Sequence, residues 1–186
     1  MSVAVAPFQA TLADLARVTD KAELIDGKVI PIMPTGYRPN IIAGRIFRRL
    51  ADHADASGKG VAFTDNMGFA VAMLSTGRES FSPDAAYYTG PPPSQQMRFV
   101  VGPPDFAVEV RSDSDYGPAA EERLADKRAE YFEAGTAVVW DVDPVARVVR
   151  SYSHGATSPT VFGAGSEAIA EPAVNGWRLS VDWLMA

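Results

Sequence analysis

The chain has 186 residues, of which 17 are Lys or Arg and 23 are Asp or Glu, so its formal net charge at pH 7 is −6. The absence of cysteine excludes thiol catalysis, cysteine-ligated zinc and disulfide frameworks. The acidic balance argues against a protein that simply coats nucleic acid, because such proteins are usually basic. The length predicts one domain over residues 1–186, with residues 1–20 as an N-terminal helical extension. Because no basic leader and no run of 18 apolar residues is found, we expect a cytoplasmic protein that does not insert into membranes.

Two short elements are predicted near the N-terminus. Thr11 is suited to cap a short helix that ends near Arg17. Asp26-Gly27 lies between two apolar runs, and this dipeptide favours a two-residue hairpin turn of type I′. The sequence therefore predicts a helix followed by a β-hairpin.

A longer helix is predicted after a loop at Pro31–Pro39. Ile42, Ile46 and Leu50 recur at four-residue spacing, which places them on one face of an α-helix. This helix is expected to end before Ser57-Gly58.

The rest of the chain predicts several short strands and one further long helix. The helix spans Ala119–Phe132, with Pro118 suited to its first turn and Gly135 to its end. A last half-turn is predicted at Val181–Leu184. Such an order predicts a mixed α/β or α+β fold. The strands are predicted at Val61–Thr64, Gly68–Ala72, Phe81–Tyr87, Phe106–Arg111, Ala137–Val142, Arg147–Tyr152, Thr160–Phe162 and Trp177–Ser180.

Glu109 is an acidic residue inside an otherwise apolar strand. Because strand side chains alternate between faces, Glu109 and Arg111 lie on one face, opposite Phe106, Val108 and Val110. A carboxylate there is costly to bury without a partner. Two interpretations remain open, a structural ion pair with Arg111 or a functional carboxylate.

Asp84 is a second acid among apolar neighbours, directly after Pro83. It is either a turn residue or one half of a carboxylate pair with Glu109, if their strands are adjacent. Two carboxylates at close range disfavour one another, and a bound hard cation relieves this repulsion.

Lys127 occupies a core-facing position on the predicted helix. It belongs to a stripe with Ala120, Leu124, Tyr131 and Ala134 at spacings of three and four residues. Either its stem packs on the core while the ammonium reaches water, or it serves a site.

Five short blocks in this order resemble the successive motifs of the Uma-two family, whose members are similar to restriction endonucleases of the PD-(D/E)xK nuclease superfamily. The resemblance extends from about Glu23 to Leu184. The blocks are Glu23-Leu-Ile-Asp-Gly-Lys, Ser82-Pro-Asp-Ala-Ala, Pro104-Asp-Phe-Ala-Val-Glu-Val-Arg-Ser, Asp126-Lys-Arg-Ala-Glu-Tyr and Val139-Trp-Asp-Val-Asp-Pro.

The resemblance implies a restriction endonuclease-like fold, in which helices flank a central mixed β-sheet and a hairpin precedes it. It also implies a site that binds Mg²⁺ or Mn²⁺ through acidic residues and uses a basic catalytic residue. Arg111 stands at the lysine position of the motif, whereas Lys127 fits a helical block that supplies a migrated basic residue. The implied metal ligands are Glu23, Asp84, Glu109 and the carbonyl of Val110; the implied catalytic residues are Asp84, Glu109 and either Lys127 or Arg111, with Tyr131 bracing the lysine.

The resemblance favours a magnesium-dependent endonuclease that hydrolyses phosphodiester bonds of DNA. The alternative is an inactive binding or regulatory protein of the same fold, in which Arg111 neutralises the carboxylates. A homodimer is also expected, with the proline-rich loop Gly90–Gln96 as a dimer arm. The candidate contacts to nucleic-acid phosphates are Arg38, Arg45, Arg48 and Arg49.

Overall fold

A computed structural model describes residues 9–186, so the first eight residues of the predicted N-terminal extension lie outside the described part of the chain. The helices in this part are α1 (Leu12–Leu15), α2 (Tyr37–Ser57), α3 (Pro118–Ala134) and α4 (Val181–Leu184). The strands are β1 (Ala22–Ile25), β2 (Lys28–Pro31), β3 (Val61–Thr64), β4 (Phe69–Ala70), β5 (Ser80–Phe81), β6 (Ala85–Tyr88), β7 (Val100–Val101), β8 (Phe106–Val110), β9 (Val138–Asp143), β10 (Val148–Ser153), β11 (Thr160–Phe162), β12 (Glu167–Ile169) and β13 (Arg178–Ser180).

The centre of the fold is a six-stranded mixed sheet in the order β11-β10-β9-β8-β6-β3. Its strand pairs are antiparallel except for β8 and β9, which are parallel and are joined through α3. A parallel pair requires such a crossover, because a tight hairpin can only join antiparallel strands. The prediction of a mixed sheet flanked by helices is confirmed.

The two faces of the sheet bury different cores. On one face, Ile42, Ile46 and Leu50 of α2 pack in a cluster that includes Trp140 and Trp177. On the other face, a smaller aromatic and aliphatic cluster includes Tyr131 of α3. Glu109 lies on this second face of β8, because its neighbours Val108 and Val110 belong to the first core.

Smaller sheets surround the central one. β1 and β2 form the predicted hairpin, and Asp26 and Gly27 have φ angles of 49° and 64°, as a type I′ turn requires. β12 pairs with β13, and β4 lies between β5 and β7. None of the helices among residues 9–186 is long and apolar enough to cross a membrane.

Several boundaries differ from the sequence prediction for local reasons. The predicted strand Phe81–Tyr87 is two strands, β5 and β6, which belong to different sheets and are separated by Ser82, Pro83 and Asp84. Proline lacks the amide donor that a continuous strand needs. Helix α2 begins at Tyr37 and includes Pro39, because the first amides of a helix have no intrahelical acceptor. Helix α1 has the predicted Thr11 cap but ends at Leu15, before Arg17.

Arginines of α2 hold the C-terminus of the chain. Arg45 Nη1 donates hydrogen bonds to the carbonyl oxygens of Trp183, Leu184 and Ala186, at 2.9–3.2 Å. Arg38 donates to the carbonyl of Met185 at 2.7 Å. The guanidinium groups of Arg48 and Arg49 lie 5.6 and 4.7 Å from the centre of the Trp183 ring. These contacts give Arg38 and Arg45 a structural role, and nucleic-acid binding by the four arginines stays a prediction.

We predict that Arg45→Ala lowers the free energy of unfolding by about 1–2 kcal/mol, because three terminal carbonyl groups lose a charged donor. Arg48→Ala is the matched control and is expected to lower the free energy of unfolding by about 0.5 kcal/mol, since Arg48 makes a cation–π contact with Trp183. Urea denaturation followed by tryptophan fluorescence measures both. Equal effects of the two substitutions would contradict the structural role of Arg45.

Candidate functional site

The segment between β5 and β6 places Asp84 beside β8. The amide of Asp84 donates to the carbonyl of Val108 at 2.9 Å. Its carboxylate oxygen Oδ2 accepts a 2.7 Å hydrogen bond from the amide of Val110. Asp84 thus contacts the backbone on both sides of Glu109, so the two acids are neighbours although 25 positions separate them in the sequence.

Helix α3 supplies two partners for Glu109. Glu109 Oε1 accepts a 2.6 Å hydrogen bond from the hydroxyl of Tyr131 and lies 2.9 Å from Lys127 Nζ. Lys127 and Tyr131 are four residues apart, so they lie on one face of the helix. The second oxygen, Oε2, accepts no hydrogen bond from residues 9–186. Glu109 therefore retains an oxygen for a ligand.

Glu23 on β1 holds the same lysine from the other side. Its Oε1 accepts a 3.0 Å hydrogen bond from the amide of Ser82 and lies 3.4 Å from Lys127 Nζ. Its Oε2 pairs with Arg78, which also pairs with Glu130. Because both oxygens of this buried carboxylate have partners, its geometry suits a residue that positions Lys127.

Lys21 is a charged neighbour of Asp84 that the sequence analysis did not identify. Its ammonium pairs with Asp65, at the end of β3, and lies 3.5 Å from Asp84 Oδ1. The side chain is 14% exposed. A lone lysine ahead of a hairpin carries no periodic signal, so only the three-dimensional fold reveals it.

The cluster carries more negative than positive charge. It contains five carboxylates and three cationic side chains, an excess of two negative charges when all are ionised. The carboxylates are Glu23, Asp65, Asp84, Glu109 and Glu130, and the cations are Lys21, Arg78 and Lys127.

This imbalance affects the two central acids. Burial raises the pKa of Asp84 above its ordinary value, and the nearby Lys21 opposes the shift only in part. Burial also raises the pKa of Glu109, with Lys127 opposing the shift and the charges of Asp84 and Glu23 adding to it. Both acids consequently retain protons at a higher pH than exposed carboxyl groups do.

Lys127 and Glu23 shift in the directions that favour their ionised forms. Burial disfavours the ammonium of Lys127, but Glu109 and Glu23 outweigh burial and raise its pKa. Burial likewise disfavours the charge on Glu23, yet Lys127 and Arg78 together lower its pKa. Lys127 is therefore a cation at neutral pH and has no free lone pair to act as a base.

Arg111 takes part in a second ion-pair network. It donates two 2.7 Å hydrogen bonds to Asp141 and also pairs with Glu121. The bonds to Asp141, followed by those to Glu121, raise its pKa despite burial. The interpretation of Arg111 as the ion-pair partner of Glu109 was wrong, because α3 brings Lys127 to Glu109 and β9 brings Asp141 to Arg111.

The described residues do not form a preformed cluster of metal ligands, which bears on the prediction of a bound metal ion. Within residues 9–186, no three His, Cys, Asp or Glu side chains are grouped so as to hold a metal ion. Asp84 and Glu109 nevertheless offer carboxylate oxygens, the donors that Mg²⁺ prefers, and the excess of two negative charges fits a divalent cation. The residues present thus fit such an ion at Asp84 and Glu109.

Comparison with known proteins agrees with this geometry. The sequence model of the Uma2 family, described as "Putative restriction endonuclease", matches residues 10–182. The chain belongs to the Uma2 family. This is the Uma-two family that the sequence motifs indicated.

A solved structure supports the fold. A crystal structure from Anabaena variabilis, described as a "putative nuclease belonging to DUF820", superposes with a TM-score of 0.73 at 19% sequence identity. The match covers 94% of this chain and 97% of that one. A search of curated proteins found no match. The Uma2 chain and the Anabaena protein therefore share a fold across nearly their whole lengths.

We predict that Lys127→Met raises the pKa of Glu109 further and also raises that of Glu23, because each acid loses the cation next to it. Carbon-13 NMR titration of the side-chain carboxyl groups measures both values. Lys28→Met, which removes an exposed ammonium from the hairpin, is the matched control and should leave them unchanged.

The raised pKa of Glu109 also fixes the sign of its effect on stability. The folded state binds this proton more tightly than the unfolded state, so the contribution of Glu109 to the free energy of unfolding falls as pH rises through its folded pKa.

A Glu109 pKa that is unchanged in Lys127→Met would show that the two groups do not interact.

Proposed function

We propose that the protein is a nuclease that hydrolyses phosphodiester bonds of DNA with the aid of Mg²⁺ or Mn²⁺. The observation that carries this proposal is the neighbouring position of Asp84 and Glu109, in a cluster with two unbalanced negative charges beside the ammonium of Lys127. Family membership and a nuclease-like fold support the reaction class.

Asp84 and Glu109 are the residues that would hold the divalent cation. The carbonyl of Val110 is a further candidate ligand, because the amide of the same residue binds Asp84. Glu23 would contribute through water or through Lys127, since both of its oxygens already have partners. A cation bound there supplies a more acidic water and stabilises charge on the phosphate oxygens.

Lys127 would act as a fixed positive charge. Its raised pKa keeps it protonated, so it would stabilise the negative charge that builds on the phosphate oxygens during hydrolysis. Glu23 positions the ammonium, and Tyr131 positions the carboxylate of Glu109. Arg111 would support the strand through Asp141 without touching the substrate.

A non-catalytic nuclease-fold binding protein is the second candidate. One observation favours it: Asp84 and Glu109 each already pair with a lysine ammonium, which could stand permanently in place of a metal ion.

In either case we propose a homodimer with Gly90–Gln96 as its arm, which sedimentation equilibrium tests directly.

We predict that the protein binds Mn²⁺ in isothermal titration calorimetry and that Asp84→Asn or Glu109→Gln weakens binding at least about tenfold, as loss of a ligand costs more than about 1.4 kcal/mol. Glu122→Gln, an exposed change on α3, is the control and should bind like the wild type. Affinity should fall as pH is lowered from neutral, because protons compete for two acids of raised pKa. Unaltered binding in both variants would refute the site.

We predict that Lys127→Met abolishes metal-dependent cleavage of supercoiled plasmid DNA while Mn²⁺ binding persists. The physical reason is that this ammonium stabilises the transition state but donates no electron pair to the metal. Lys28→Met serves as the control and should cleave normally. Cleavage that survives in Lys127→Met would assign the basic role elsewhere, and wild-type protein that binds Mn²⁺ without cleaving DNA would support the binding-protein alternative.

A further inference from the structure

A cavity of about 270 Å³ opens directly beside the acidic cluster. It lies between the N-terminal segment, the residues after β3 and the β5 strand. Its apolar wall comprises Leu15, Val18, Phe81 and Phe99, and its polar residues include Thr19, Asp20, Lys21, Asn66 and Ser82. Small-ligand pockets begin at about 300 Å³, so this cavity suits one small group and not a duplex.

The cavity and the acidic cluster share a wall. Ser82 lines the cavity, while its amide binds Glu23. Phe81 also lines the cavity, and its ring stacks on that of Tyr131 at a centroid distance of 4.1 Å. Tyr131 in turn donates to Glu109. A ligand in the cavity would therefore be separated from Glu109 by two side chains, those of Phe81 and Tyr131.

Lys21 stands at the boundary between the two. It lines the cavity and its ammonium pairs with both Asp65 and Asp84. Its pKa is raised, because Asp84 and Asp65 outweigh the effect of burial, so Lys21 is a cation at neutral pH. A protonated lysine and the partly exposed ring of Phe99 on the wall of one cavity match the two parts of a nucleotide, an anionic phosphate and a flat base.

The cavity retains its aromatic wall because of a glycine. A Cβ atom on Gly68 would come within 2.5 Å of the Phe99 ring, so a larger residue there would displace that ring. Gly68 and Phe99 both line the cavity.

We propose that this cavity is a subsite for one nucleotide of a single-stranded or locally unpaired substrate, and that Lys21 binds the phosphate next to the one that is cleaved. This proposal rests on the proposed nuclease function for the identity of the ligand. It adds a substrate preference, because a base can enter the cavity only when it is not paired.

The position of Lys21 also predicts coupling between nucleotide and cation. Once Asp84 engages a divalent cation, Lys21 loses one of its two anionic partners and becomes available to a phosphate oxygen. Binding at each position should consequently strengthen binding at the other by the same factor.

The test is NMR titration of the protein, first metal-free and then with saturating Mg²⁺, with the dinucleotide thymidylyl-thymidine, and with thymidine and inorganic phosphate titrated separately. Because the cation releases Lys21 from Asp84, the dinucleotide should bind more tightly when Mg²⁺ is present. We expect the dinucleotide to shift the amide signals of Gly68 and Ser82 and to bind more tightly than either part. Lys21→Met should weaken dinucleotide binding about tenfold through loss of one charge-assisted contact. Lys28→Met is the matched control and should bind normally.

Filling the cavity provides a second test. Thr19→Phe and Ala16→Phe each place a large side chain at the rim, and either should abolish the dinucleotide shifts while leaving the Mn²⁺ affinity of Asp84 and Glu109 within about twofold. Two rim positions are used so that one misfolded variant does not decide the outcome.

Failure of this inference and failure of the proposed function give different results. Dinucleotide shifts that are absent, or that persist in both filled variants and in Lys21→Met, would overturn the subsite even if Mn²⁺ binds and DNA is cleaved. Shifts that appear as expected in a protein that never binds Mn²⁺ would retain the nucleotide site and refute the nuclease.

Discussion

The ion pair between Lys127 and Glu109 is the interaction on which the candidate site depends. A carboxylate on the inner face of a central strand is unfavourable alone, and so is an ammonium on the inner face of the covering helix. Their 2.9 Å contact, with Glu23 on the far side of the lysine, keeps Lys127 charged and offsets part of the cost of ionising Glu109 where helix and sheet meet. Removing one partner of such a buried pair leaves an uncompensated charge. The pair therefore contributes both to the packing of α3 on the sheet and to the electrostatics of the candidate site.

The surrounding charges differ from those of a purely structural network. A network that served stability alone would be expected to balance its charges. The neighbouring network does so, because the arginines Arg111 and Arg128 pair with the carboxylates of Asp141 and Glu121. The cluster around Asp84 and Glu109 instead has two carboxylates too many. Burial raises the pKa of both central acids, and repulsion from other carboxylates adds to each shift. Perturbed acids that lie together at one position in a fold are typical of functional sites.

Much of the fold was predictable because its signals are local. The Asp26-Gly27 turn, the spacing of Ile42, Ile46 and Leu50, and the apolar strand around Glu109 depend only on neighbouring residues. Membership of the Uma2 family was likewise visible in short motifs. The break at Pro83 was not predicted, because the residues on both sides favour strands and only the missing amide separates them.

Long-range contacts explain what the sequence did not reveal. Alternation correctly placed Glu109 on the face of β8 opposite Val108 and Val110. It could not indicate that Lys127 would contact Glu109 or that Asp141 would contact Arg111. Lys21 reaches Asp84 across 63 positions, and Arg45 reaches the C-terminal carbonyls across 138 or more. Partners this distant are set by how helices and strands pack, which one sequence does not specify.

The most direct measurement of the central claim is a crystal structure of the protein soaked in Mn²⁺, with data collected at a wavelength at which manganese scatters anomalously. We predict one strong anomalous peak bounded by the carboxylates of Asp84 and Glu109, with Lys127 still beside Glu23. A peak at another location, or a fully loaded crystal with Lys21 and Lys127 unmoved and no peak at these two acids, would contradict the account.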